Sequence, residues 1–167
     1  RPEFALMYAG WALEGWLITT PGNVIDFGRI EEELLFLSEK LEIIDVAYDP
    51  FQATQFATRM VQAGFPMIEM RATVMNFSEP MKQLEMIVLS ERLLHEDDPC
   101  LEWMMSNVVC HVDAKDNIYP RKQTGEQKID GVISTIMCVG RYLSGKDEDT
   151  DAPHPSEIYN TRGAFYA

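Results

Sequence analysis

The sequence predicts an α/β fold in which a mixed sheet is flanked by helices. The first observation is a short apolar run at residues 43–48, a helical pattern at 51–63 and a second apolar run at 65–71. Strand, helix and strand in this order form a βαβ unit, so the two strands should be parallel. The second observation is the length of 167 residues with 46% hydrophobic residues, which suits one domain with a substantial core.

The elements before this unit are predicted to be a strand and a helix. Residues 15–20 (Gly-Trp-Leu-Ile-Thr-Thr) indicate a short strand, which the turn residues 21–23 end. Asp26 is the predicted N-cap of a helix over residues 28–40. The apolar face of that helix has spacings of four, three and four residues and consists of Ile30, Leu34, Leu37 and Leu41.

Within the βαβ unit, turn residues mark the ends of the elements. Pro50 ends the first strand, and Gly64 is a favourable C-terminal stop for the helix. The buried face of the helix is predicted to consist of Ala53, Phe56, Ala57 and Met60.

The second half of the chain is predicted to be mainly helical. Pro80 favours the first turn of a helix, and Asp130 opens a long apolar stretch that is typical of a buried helix. The polar residues 119–127 predict a mobile loop. In chain order, the predicted elements are a helix over 80–93, a short helix over 99–107, an edge strand over 108–112, a turn over 113–117, this loop and a helix over 130–143.

Charge and composition narrow the classes of function. The net charge of −13 argues against a protein that coats nucleic acid in general, although it leaves a nuclease possible. No apolar run approaches the length of a membrane span. The acidic, proline-containing end of the chain predicts a flexible tail with aromatic residues at its terminus. We therefore divide the chain into a domain over residues 1–145 and a tail over residues 146–167.

Two aspartates are the candidate site residues. Asp49 closes the first strand of the βαβ unit, where parallel sheets place their ligand sites. Asp130 stands at the start of the last helix. Carboxylates that meet in this way suit one or two hard divalent cations and phosphodiester hydrolysis. The simpler alternatives are that Asp49 is a turn residue before proline and that Asp130 is a helix N-cap.

Three basic residues are candidate contacts to nucleic acid. Arg121 and Lys122 lie in the predicted loop, and Lys128 lies two residues before Asp130. They either contact phosphates beside the metal or form a solvated loop face.

Several stretches together resemble one known family. The similarity is to the nuclease domain of the large terminase subunit of tailed bacteriophages, and it covers roughly residues 8 to 143 in order. The stretches are residues 15–26, residues 47–54, the run His95, Pro99, Leu101, Trp103, Asn107 and Val108, and residues 128–131 (Lys-Ile-Asp-Gly).

This resemblance implies a ribonuclease H-like fold and a metal-dependent endonuclease. In that family an N-terminal ATPase moves DNA into the procapsid and the nuclease domain cuts concatemeric DNA. Asp49 matches the acid at the end of the central strand and Asp130 the acid on the last helix. The family's first acid, on the first strand, has no counterpart here, which a missing first strand would explain. The chain alone is therefore expected to show weak activity or none.

The resemblance also implies cofactors and partners. The cofactor is Mg²⁺ or Mn²⁺, as two ions held by Asp49 and Asp130. The partners are double-stranded DNA, the terminase ATPase domain, the portal and the small terminase subunit, in the host cytoplasm and away from membranes.

Three alternatives remain at the level of the sequence. Another ribonuclease H-like enzyme, of resolvase or integrase type, would use the same carboxylates on other DNA. A non-catalytic interaction module would dock partners through its acidic tail. A nucleotide-binding doubly wound domain is the third, but no glycine-rich loop follows either strand.

Overall fold

The computed structural model describes residues 2–148, which form a mixed α/β arrangement. In chain order, the elements are α1 (Pro2–Leu13), α2 (Phe27–Ser38), β1 (Val46–Tyr48), α3 (Thr54–Gln62), β2 (Met67–Glu69), α4 (Val74–Leu89), α5 (Pro99–Ser106), β3 (Val108–Val112), β4 (Ile118–Lys122) and α6 (Asp130–Glu148). Within this range, none of the helices combines the length and apolar character that crossing a bilayer requires. Most of the predicted tail lies outside the described residues.

The predicted βαβ unit is confirmed. β1 and β2 are parallel neighbours, with Val46 opposite Met67 and Tyr48 opposite Glu69. The crossover helix α3 ends just before Gly64, whose φ of +95° is the left-handed conformation that glycine adopts without strain. The residues that α3 buries are Phe56, Ala57 and Met60, all of which belong to the predicted face.

The strands in residues 2–148 form two separate sheets, in place of the single mixed sheet that the sequence predicted. β3 and β4 are an antiparallel hairpin. The Ile118 N–H at the start of β4 donates to the side-chain oxygen of Ser78 on α4 over 3.1 Å. Helix α4 thus packs beside β4, where a further strand would otherwise pair.

The predicted strand over residues 15–20 is wrong. These residues follow α1, and the carbonyl of Trp11 accepts the N–H groups of Trp16 at 2.8 Å and Leu17 at 3.2 Å. The bonds close the C-terminal end of α1 and use donors that a strand would need. Helix α1 was not predicted. It contacts Trp103 of α5 through three aromatic rings spaced four and three residues apart, those of Phe4, Tyr8 and Trp11.

Helix α4 begins at Val74, and the predicted start at Pro80 is wrong. The Thr73 side chain accepts the Asn76 N–H over 3.3 Å and caps the helix. Pro80 lies inside α4 and is buried. A Cβ atom placed on Gly140 of α6 would be 3.2 Å from Pro80 Cγ. The close contact with α6 helps offset the backbone hydrogen bond that proline cannot donate.

The predicted loop over residues 119–127 is also wrong in its first part, because β4 continues to Lys122. The polar residues predicted a loop, and Pro120 is unusual within a strand because proline rarely occurs within sheets. It lies opposite Cys110 in a two-stranded hairpin, and proline is tolerated on such an edge. The preceding turn falls between β3 and β4, as predicted.

Two apolar clusters form the core. The larger joins α4 to α6, and the smaller lies under α3 with Phe27 and Leu34 of α2 packed against it. The buried residues are Phe77, Leu84, Val132, Ile136 and Met137 in the larger cluster, and Phe56, Met60 and Phe65 in the smaller one.

The predicted N-cap of α2 is confirmed, because the Asp26 side chain accepts the Arg29 N–H over 3.2 Å.

Candidate functional site

Asp49 directly follows β1 and is half-buried. One carboxylate oxygen, Oδ1, accepts the Phe51 N–H over 2.9 Å, which is the turn contact expected of Asp before proline. The other, Oδ2, accepts the Ala72 N–H over 3.2 Å. The turn role predicted for Asp49 is therefore present. The second bond goes further, because it holds the carboxylate at the carboxyl ends of both β1 and β2.

Tyr119 supports the same loop from the other side. Its hydroxyl donates to the Ala72 carbonyl over 2.8 Å, and its ring stacks on Phe77 with centroids 6.0 Å apart. Ala72 thus binds Asp49 through its N–H and Tyr119 through its carbonyl. This role of Tyr119 was not predicted and has no signal in the sequence, because its contact partner is a backbone atom 47 residues away.

Asp130 is exposed in the first turn of α6. The Ile129 carbonyl accepts the Ile133 N–H over 3.0 Å, so Ile129 occupies the N-cap position and Asp130 follows it. The predicted N-cap role of Asp130 is therefore wrong. A carboxylate in the first turn is still favoured, because it interacts with the positive end of the helix dipole.

Tyr8 of α1 lies near Asp130. Burial raises the pKa of the Tyr8 phenol above its ordinary value of 10.0, and the negative charges of Asp130 and of the Cys100 thiolate raise it further. The phenol is therefore protonated and uncharged at neutral pH.

The two aspartates have different neighbours in the structure. Asp49 contacts Phe51 and Ala72, whereas Asp130 lies where α6 meets α1 and α5. Among residues 2–148, no group of three or more His, Cys, Asp or Glu side chains is arranged to hold a metal. Two carboxylates still fit the chemistry of Mg²⁺, which often takes one or two protein carboxylates and completes its shell with waters and substrate phosphates. Their shared role remains a prediction.

The basic candidates lie on the hairpin and on the approach to α6. Arg121 pairs with Val109 and Lys122 with Val108, and both side chains are exposed. Successive residues of a strand point to opposite faces, so Arg121 and Lys122 do not form one basic face. Lys128 is exposed just before α6. Contacts of these three residues with DNA remain a prediction.

Comparison with known proteins links the chain to one family. A family model described as "Terminase large subunit, endonuclease domain" matches residues 3–146. Protein YmfN of Escherichia coli (strain K12) is 32% identical over 154 residues, which cover 91% of this chain.

Two solved structures have a similar fold. The crystal structure of the HK97 bacteriophage large terminase matches 80% of this chain with a TM-score of 0.73 and 26% identity. The crystal structure of the large terminase nuclease from thermophilic phage G20c matches 70% of this chain and 62% of the G20c chain, with a TM-score of 0.56 and 16% identity. The present chain spans only 34% of YmfN and 28% of the HK97 chain.

Proposed function

Because the chain belongs to the endonuclease-domain family of the terminase large subunit, we propose that it is a metal-dependent endonuclease that cuts concatemeric phage DNA during genome packaging. We propose for it the ribonuclease H-like form of the α/β fold. The observation that carries the proposal is the location of two carboxylates, Asp49 after β1 and Asp130 in the first turn of α6. Both positions suit ligands of a hard cation.

Each carboxylate is prepared differently for such a role. The backbone donors of Phe51 and Ala72 fix the orientation of the Asp49 carboxylate. Asp130 is exposed and can approach a phosphate-bound cation without further unfolding. Mg²⁺ or Mn²⁺, as two ions, would activate water and stabilise the leaving oxygen of the phosphodiester. Asp49 and Asp130 would supply the negative charge and the fixed positions that hold the ions.

The basic residues have the role of holding the substrate. Lys128 precedes Asp130 by two residues and is the best candidate to contact a phosphate near the cut. Arg121 and Lys122 on the hairpin would contact the DNA backbone further away. Since the whole chain carries a net charge of −13, binding of double-stranded DNA needs these local cations.

Further partners follow from the family. We propose that the longer protein also contains the terminase ATPase domain and that it works with the portal and the small terminase subunit in the host cytoplasm. The chain spans about a third of the length of YmfN, so these contacts need not lie within it.

The test is nicking of supercoiled plasmid by excess protein in Mg²⁺ or Mn²⁺. Asp49→Asn and Asp130→Asn keep the shape of the side chain and remove its charge. We expect each to lower the nicking rate by at least about 100-fold. Asp116→Asn is the matched control, because Asp116 lies in the hairpin turn with φ of +59°, a conformation that asparagine also tolerates.

The same three variants should be made in the full-length protein, where the first acid of the family is expected. EDTA should abolish nicking in every active sample. Equal nicking by the wild-type protein and both site variants would contradict the proposal. An interaction module would be favoured if the wild-type protein and both site variants bind DNA equally and none of them cuts it in a metal-dependent way, in the chain and in the full-length protein.

A further inference from the structure

Asn107 is a buried polar residue at the meeting point of three segments. Only 3% of its surface is exposed. Its backbone N–H bonds the Met104 carbonyl at the end of α5, and its carbonyl accepts the Gln123 N–H just after β4. Its side-chain Nδ2 donates to the Lys128 carbonyl over 3.0 Å. One side chain therefore ties α5 to the backbone immediately before α6.

The other side of Asp130 is held by the same turn of α5. The Gly131 N–H donates to the Met104 sulfur over 3.1 Å. A Cβ atom on Gly131 would lie 2.7 Å from Met104 Cε and 3.3 Å from Leu101 Cδ1. A larger residue at position 131 would force the Met104 side chain to shift, so glycine allows α6 to approach α5 this closely.

Asp130 thus sits between two fixed points. The Lys128 carbonyl is bound by Asn107, the Ile129 side chain is only 6% exposed, and the Gly131 N–H is bound by Met104. The side chain of Asp130 itself remains exposed, as does that of Lys128. The backbone is therefore rigid where the carboxylate is free to meet a ligand.

We propose that Asn107 is a positioning residue for Asp130, acting through the Lys128 carbonyl, and that Met104 assists through the Gly131 N–H. This inference rests on the proposed function, since it concerns the cation that Asp130 would bind. Cation sites need carboxylates held within about 0.5 Å of the productive position. A residue that only stabilised the fold would change the free energy of unfolding and leave the affinity of the folded protein for the cation unchanged.

The test follows cation binding directly, without a cleavage assay. The ¹⁵N-labelled chain is titrated with Mn²⁺, and paramagnetic broadening of the Gly131 amide signal is measured. In the wild-type chain the signal should broaden, and Asp130→Asn should abolish the effect. Asn107→Ala should raise the Mn²⁺ concentration at half-broadening about tenfold, at the low end for residues that support a ligand. Asn107→Ser, which keeps a shorter donor, should raise it less.

Two further variants separate position from stability. Met104→Leu removes the sulfur acceptor at similar volume and should also raise the half-broadening concentration. Asn117→Ala is the matched control, because it removes an asparagine side chain that bonds Asp113 in the hairpin turn. It should leave the Gly131 titration unchanged. If Asn107→Ala does not fold, Asn107→Ser carries the comparison.

The outcomes distinguish the two proposals. If Mn²⁺ does not broaden Gly131 in the wild-type chain, the cation role of Asp130 is wrong, and the positioning role with it. If Mn²⁺ broadens Gly131 and the folded Asn107 variants have the wild-type half-broadening concentration, only the positioning role is overturned. A shift in the Asn117→Ala control as large as that of Asn107→Ala would also overturn it.

Discussion

Arg141 donates from Nε to Asp45 Oδ2 over 2.9 Å and so joins α6 to the residue before β1. The two side chains are 31% and 20% exposed, so both charges are partly removed from water. The residues are 96 positions apart in the chain. This ion pair connects the helix that begins with Asp130 to β1, the strand that Asp49 follows.

We predict that loss of either partner destabilises the fold. Asp45→Asn or Arg141→Gln leaves a partly buried charge unpaired and should lower the free energy of unfolding by about 1–2 kcal/mol. A double-mutant cycle measured by urea unfolding should give a coupling energy of about 0.5–2 kcal/mol. The control is Arg29→Gln on α2, whose ion pairs with Glu32 and Glu33 lie at the surface, so its effect on the free energy of unfolding should be smaller. Additive effects of Asp45→Asn and Arg141→Gln would contradict the prediction.

Two glycines of α6 should respond oppositely to alanine. A Cβ atom on Gly140 would lie 2.7 Å from Met70 Cε, whereas at Gly145 there is nothing within 4 Å. Gly145→Ala should raise the free energy of unfolding by about 0.5–1 kcal/mol through helix propensity. Gly140→Ala should lower it by about 1–3 kcal/mol because the core must shift. The measurement is thermal and urea unfolding of both variants. A stabilising Gly140→Ala would show that Met70 moves away freely.

The hairpin turn should lose stability in acid. The side-chain amide of Asn117, then the backbone N–H groups of Lys115 and Asn117, donate to Asp113 and lower the pKa of its carboxyl below 3.8. A group whose pKa is lowered by folding stabilises the fold above the unfolded pKa, and the effect disappears as pH falls through the folded pKa.

The test compares the melting temperature of the wild-type chain with that of Asp113→Asn from pH 7 downwards. The wild-type chain should melt higher at neutral pH. The difference should shrink below pH 3.8, because protonated Asp resembles Asn. A difference that is constant down to the lowest pH would mean that the Asp113 charge does not stabilise the turn.

The sequence predicted those elements whose signals are local. Asp26 caps α2 as expected. The apolar spacing and Gly64 correctly predicted a helix between two parallel strands, although α3 begins at Thr54 and not at residue 51. The predicted strand over residues 15–20 was wrong because an apolar run does not show which acceptor its backbone N–H groups will bond. In the structure that partner is the Trp11 carbonyl of α1.

The sequence allowed the two acidic residues of the candidate site to be predicted, but not the contacts that hold them. Asp49 and Asp130 were recognised by their position at element ends. The residues that support them were not recognised. Ala72 acts through its backbone N–H, Asn107 binds a backbone carbonyl, and Met104 accepts a hydrogen bond through its sulfur. Such partners have no pattern in the sequence, and only the packing of α4, α5 and α6 reveals them.

Pro80 and Gly140 meet at the contact between α4 and α6. If α6 slid by one helical turn, Ile136 or Ser144 would take the place of Gly140, and a side chain would collide with the proline ring. The contact between Gly140 and the proline ring therefore disfavours a shift of α6 along α4 by one turn. Since Asp130 begins the same helix, the contact also helps to fix the level at which Asp130 lies relative to the strands.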